Sequence, residues 1–284
     1  GNVQYVKGKN MIESWGKVAP SLLVWDYVVN FSNLLMPYPN YAVQKNNLKF
    51  YLKNNATAIF HQGSREKDDE MARMRSYLLA RQLWDSDVDM EKLMAKYIAV
   101  AYGKAARAVA EYIDAMSDLV LLLPGNLDLY DSVRQHSTDY LATTKINEYL
   151  YTIHSGLEKV ETDKLAKERL ERVYMNLLYA RCKDASIGAD KKAESARKFK
   201  ALADKYGVEK LSETGVSTQE WYDDYMNNEI EKLSSIRTTI ITLSAVVPML
   251  LIGFALMVVT TGLKKKRIII QTDEQNGDDN KDEQ

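Results

Sequence analysis

The pattern of apolar and polar positions changes character near residue 85. Before it, short apolar runs alternate with helical stripes. Residues 9–18 read as the end of a helix, stopped before Pro20. "LLVWDYVVNF", Leu22–Phe31, follows as an apolar run rich in β-branched residues and predicts a buried strand. "MPYPN", Met36–Asn40, reads as a loop, because each proline restricts the residue before it. Asn40 is placed to cap a helix that carries Val43, Leu48, Tyr51 and Leu52. Asn54 and Asn55 end that helix, Thr57–Phe60 form a second short strand, and Gly63 opens a turn. The stretch from Glu66 to Trp84 then predicts a helix with Met71, Met74, Leu78 and Leu79 on one side. The two strands begin about 35 residues apart, the size of a βα repeat in a parallel sheet. Two such units cannot close a sheet alone. The expected fold is therefore α/β over 1–84, as the last two βα units of a TIM barrel.

From Asp85 onward the period is helical, predicting an all-α domain over 85–235. Asp87 is placed to cap a helix bearing Leu93, Met94, Tyr97, Ile98 and Ala101, and Tyr102–Gly103 punctuate it. Ala105, Ala106, Val109, Tyr112, Ile113 and Met116 form the next stripe, and a loop over 121–131 follows. Three further helices centre on Ile146–Val160, Leu170–Leu178 and Ala193–Tyr206, the last with Gly207 as its C-cap. "STQE", Ser217–Glu220, fits a capping box opening a helix with Trp221 and Tyr225. Stripes of Met and aromatic residues at this spacing are read as core.

The pattern then loses its polar face. Thr238–Leu263 carries no charge and exceeds the roughly 20 residues that span a bilayer. Lys264–Arg267, "KKKR", follows at once. The expectation is a transmembrane helix over 238–263, kinked at Pro248, as membranes tolerate. The positive-inside rule puts Lys264–Arg267 in the cytoplasm, with the acidic tail 264–284 behind them and the body extracytoplasmic. A body exported ahead of such a span needs an upstream signal, so the chain is expected to be the C-terminal part of a longer, single-pass membrane protein. A sortase anchor fits less well, because no LPxTG-like motif precedes the span.

Composition narrows the chemistry. The formal charge is −1, and no basic excess points to nucleic acid. The single cysteine, Cys182, rules out an internal disulfide and reads as a buried thiol on a helix. There is no Gly-rich phosphate loop, HExxH, GxSxG or Cys/His zinc spacing, so no metal and no cofactor is expected. Of the three histidines, His136 falls in a polar connection and is expected in solvent, and His154 at a helix boundary position. The 18 tyrosines and 4 tryptophans suit sugar stacking, although most such rings cap a helical core.

Asp26 is the residue that composition does not explain, a carboxylate between Trp25 and Tyr27 inside an apolar run. In a barrel strand it would lie near the C-terminal end, where barrel chemistry is built. The second strand delivers His61 and Gln62 to the same rim, one strand spacing of about 4.8 Å away. Asp26 is therefore the candidate catalytic residue, with Trp25, Tyr27, His61 and Gln62 as candidate substrate-binding residues. In the alternative, Asp26 accepts hydrogen bonds that close the loop between Asn30 and Asn40. Glycoside hydrolysis needs a second acid. Glu66, Asp68, Asp69 and Glu70 open a helix, where carboxylates meet its dipole, so the partner is expected upstream of Gly1.

The strings "VAPSLLVWDYVVNFSNLLMPYPN", "NNLKFYLKNNATAIFHQGS", "MRSYLLARQLWDSDVD", "YGKAARAVAEYIDAM" and "RLERVYMNLLYARC" resemble, in order, a bacterial family built on a domain of unknown function. Its members are large secreted or surface proteins linked to glycan use, and resemble α-glucuronidases and hexosaminidases in having a TIM barrel. The resemblance covers about residues 12–210. It implies a glycoside-hydrolase-like barrel acting on carbohydrate, or a non-catalytic glycan-binding protein on a degenerate barrel. His61 stands where the family usually has an acid, giving "FEQG", which favours the second. The membrane anchor is not a usual feature of the family.

Overall fold

The computed structural model describes residues 3–64, 71–123 and 127–278. It comprises two units, one running to Ile230 and one beginning at Glu231. The first is mostly helical, with one small sheet. Helix α1, Val3–Val18, ends before Pro20 and leads into β1, Leu22–Tyr27. Helix α2, Tyr41–Lys53, crosses to β2, Ala56–Gln62, which pairs parallel to β1. The register shifts once, after Leu22↔Ala56, and then runs from Leu23↔Ala58 to Tyr27↔Gln62. These are the two expected βα units. Among the described residues they form a two-stranded sheet and no barrel.

Local chemistry sets most boundaries. Asn55 closes α2 in the left-handed region at φ 62°, which Asn tolerates better than most residues. Helix α3, Ala72–Trp84, follows β2, and the predicted first turn of this helix, with Glu66, Asp68, Asp69 and Glu70, lies outside the described residues. Two caps differ from expectation. Asn40 precedes α2 but does not cap it, because its side chain donates to Val28 O at 3.2 Å and accepts from Arg75. Asp89, not Asp87, caps α4, Met90–Tyr102, accepting from Lys92 N at 3.1 Å. Gly103 then turns the chain at φ +50°, through a short 3₁₀ turn, into α5, Ala106–Leu121.

Helices α6 (Thr143–Lys159), α7 (Lys164–Lys183) and α8 (Ala189–Tyr206) complete the body, with α7 against α4, α6 and α8. Gly207 ends α8 at φ +67°, as expected of a C-cap. The capping box at Ser217–Glu220 forms, opening α9, Thr218–Asp224, which runs into a π-helical turn at Tyr225–Ile230. The predicted stripes are the core: Val109, Tyr112, Met116, Ile146, Tyr149, Ile153, Leu170, Leu177 and Phe199 are all fully buried. Burial of such a side chain contributes roughly 1.5–3 kcal/mol. Gly156 lets three helices meet, since an added Cβ would sit 3.1 Å from both Ala108 Cβ on α5 and Leu170 Cδ2 on α7. Cys182 is buried as expected, and burial pushes its thiol up to about 12.

The apolar run predicts a strand on to Phe31, but β1 ends at Tyr27, and Val28–Phe31 turn into the body. There the loop finds partners that a strand would forgo. Phe31 N donates to Leu129 O at 2.9 Å, Leu34 N to Leu211 O at 2.9 Å, and Tyr179 Oη to Asn33 Oδ1 at 2.9 Å. Leu35 and Met36 share the core of α4–α8.

The second unit is α10, Glu231–Asp278, 48 residues with Pro248 inside it. At 1.5 Å per residue it extends roughly 70 Å. Its large apolar side chains from Ile240 to Val259 are exposed. The hydroxyls of Thr238, Thr242 and Thr261 donate to carbonyls four residues back, at 2.7–2.9 Å, so they present no unmet donor to an apolar surrounding. This helix is a candidate single membrane span.

Candidate functional site

Successive residues of a strand point to opposite faces, and this divides the candidate residues into two groups. Leu23, Trp25 and Tyr27 share one face with Ala58, Phe60 and Gln62. Val24 and Asp26 share the other with Ile59 and His61. The second face is the covered one: Val24 packs with Tyr51 of α2 and Ala56, joined by Ile12 of α1 and by Ile59. The five residues expected to line one pocket therefore line two surfaces.

On the open face Trp25 is 59% exposed, Phe60 49% and Tyr27 45%. The indole of Trp25 meets Phe60 edge-on, with centroids 5.1 Å apart and planes at 89°. Its Nε1 donates to Gln62 Oε1 at 2.6 Å. The ring of Tyr27 lies edge-on to Phe31 at 5.3 Å, and Phe31 is held in the body. Three rings and one amide thus present a surface that ends at the C-terminal tips of two parallel strands.

On the covered face Asp26 Oδ2 lies 3.2 Å from His61 Nδ1, with the side chains 15% and 7% exposed. The approach is not aligned as a hydrogen bond, and neither these atoms nor His61 Nε2 has another partner among the described residues. His61 borders a groove of about 700 Å³ between β2 and α3, walled by Val28, Ile59, Arg75, Ser76 and Leu79. Arg75 is buried there, donating to Tyr38 O at 3.3 Å with its guanidinium 5.0 Å from the Tyr41 ring. Burial pushes the Tyr38 phenol well above its ordinary value, so it stays neutral.

One polar cluster has no counterpart in the sequence pattern. His136, expected in solvent, is buried between two carboxylates, with Nε2 3.0 Å from Asp131 Oδ2 and Nδ1 3.2 Å from Asp139 Oδ2. The carbonyl of Asp131 accepts from Asn30 Nδ2 at 2.7 Å and Asn33 Nδ2 at 3.0 Å. The cluster therefore fastens the loop after β1 to the body. In sequence these residues lie in a polar connection and resemble any solvated loop. His154, expected at a boundary, is exposed on α6.

Residues 2–114 match the family described as "Domain of unknown function (DUF4838)". The match takes in both strands and α1–α4, and reaches into α5. Among curated proteins nothing matches the chain, and among solved structures nothing does.

Proposed function

We propose that this protein is a membrane-anchored, extracytoplasmic protein that binds glycans, its two βα units forming part of a glycoside-hydrolase-like TIM barrel. The observation that carries this reading is the open face of Trp25, Tyr27, Phe60 and Gln62 at the C-terminal end of parallel strands, where barrel sites are built. Rings stack on the apolar face of a pyranose, and an amide serves its hydroxyls. The sheet's uncovered face supports the barrel, since in that fold helices cover the outside of each strand and leave the inner face to the lumen. Binding is favoured over hydrolysis because Asp26 and His61 lie on the helix-covered side, and the open face of the sheet carries no carboxylate. Lys264–Arg267 support a cytoplasmic tail and an outer body.

The test is a glycan array probed with the full chain in detergent micelles, with hydrolysis of the bound glycans followed in parallel. Retained binding without turnover is the expected result. Turnover abolished by Asp26→Asn, with the fold intact, would instead establish the hydrolase. Absence of any glycan ligand would remove the proposal. Orientation is tested separately by protease added to intact cells, which should remove the body and spare the tail.

A further inference from the structure

We infer that the open face of the β1–β2 sheet selects uncharged pyranoses over uronic and sialic acids. This deepens the glycan reading above and rests on it. Six side chains point to that face, and none of Leu23, Trp25, Tyr27, Ala58, Phe60 and Gln62 carries a charge at neutral pH. The acid and the imidazole of the strand tips, Asp26 and His61, point the other way. A sugar carboxylate laid on these six side chains would give up hydration and find no cation among them to receive it, a desolvation that they leave uncompensated. It would also meet the negative faces of the aromatic rings. A neutral pyranose meets neither penalty.

The face is also held ready. Trp25 Nε1 is committed to Gln62 Oε1 at 2.6 Å, which fixes the indole against Phe60. Because Gln62 Oε1 is the acceptor in that bond, the amide N–H₂ is the end of Gln62 that serves a sugar hydroxyl. Tyr27 is braced by Phe31, whose backbone is pinned by Leu129 O and by Glu213 N. A platform fixed before binding loses little side-chain freedom on binding.

The experiment uses the full chain in a zwitterionic detergent without a sugar headgroup. Neutral gluco-, galacto- and N-acetylhexosamine oligosaccharides are titrated beside uronate and sialylated counterparts, by calorimetry and tryptophan fluorescence, at low and high salt. The expected result is binding of a neutral series that is insensitive to salt, weakened about 10-fold or more in Trp25→Ala and less in Trp25→Phe. Trp25 is more than half exposed, so losing its contact with Phe60 and its bond to Gln62 should lower the melting temperature of Trp25→Ala by only about 2–4 °C, and that of Trp25→Phe by less. Preference for the acidic sugars, with salt-dependent affinity, would overturn the inference and leave the glycan reading standing. Neutral binding undiminished in Trp25→Ala would show that this face is not the platform. Binding of neither series would overturn inference and reading together.

Discussion

Substitution of Asp26 by Asn separates a structural from a catalytic carboxylate. Asn keeps the volume and one acceptor, but puts an N–H₂ donor where the carboxylate had its second acceptor. The residue faces the helix-covered side, largely out of solvent, 3.2 Å from His61. Loss of a partner at a buried polar contact costs about 1–3 kcal/mol. The Asp26–His61 approach is not aligned as a hydrogen bond, so the lower half, about 1–2 kcal/mol, applies. A unit of this size shifts its melting temperature by about 2–4 °C per kcal/mol, giving a fall of about 2–8 °C. Melting of the full chain and glycan affinity should be measured side by side, with Trp25→Ala as the contrast. The two variants are expected to part on binding: Asp26→Asn melts lower and binds as before, whereas Trp25→Ala, which loses its contact with Phe60 and its bond to Gln62, melts only slightly lower and binds weakly. Unchanged melting with abolished binding or turnover in Asp26→Asn would refute the structural role, and would place the ligand on the side of the sheet where His61 borders the groove.

Three further outcomes are expected. Gly156→Ala should destabilise the body by up to about 2 kcal/mol, because its Cβ would press within 3.1 Å of Ala108 and Leu170 where α5, α6 and α7 meet, an overpacking of about 1–3 kcal/mol offset by the roughly 1 kcal/mol that Ala gains over Gly inside a helix, and denaturant titration would read it. Glu171 is partly buried, which opposes ionisation, but its bonds from Lys205 and Tyr206 outweigh this and hold its carboxyl below the usual value of 4.5. Its stabilising contribution is thus present above pH 4.5 and fades as the pH falls below it, so the gap in melting temperature between Glu171→Gln and the parent should be present at pH 7 and shrink under acid. The Cys182 thiol, buried and pushed up to about 12, should resist alkylation at pH 8 in the folded protein and react on unfolding, as followed by mass spectrometry.

The features legible in the chain before folding are those of short range. The period of apolar residues marked both strands, the core faces of α4–α8 and the uncharged stretch of α10, since burial follows 2.0- and 3.6-residue repeats. Gly207 and Ser217–Glu220 announced their caps, because a left-handed C-cap and a reciprocal box are settled within a few residues. Strand alternation already implied that Asp26 faces away from Trp25 and Tyr27. Which of the two faces is covered depends on α1 and α2 folding back onto Val24 and Ile59, contacts that no local pattern announces. The same holds where β1 stops. Val28–Phe31 are apolar enough to continue the strand, but Asn30 reaches Asp131 across 101 residues of chain and Phe31 N finds Leu129 O. His136 turned from an expected surface residue into a buried one for the same reason. Its burial is tolerable only because Asp131 and Asp139 converge on the ring, and a buried polar group is stable only where packing brings partners to it.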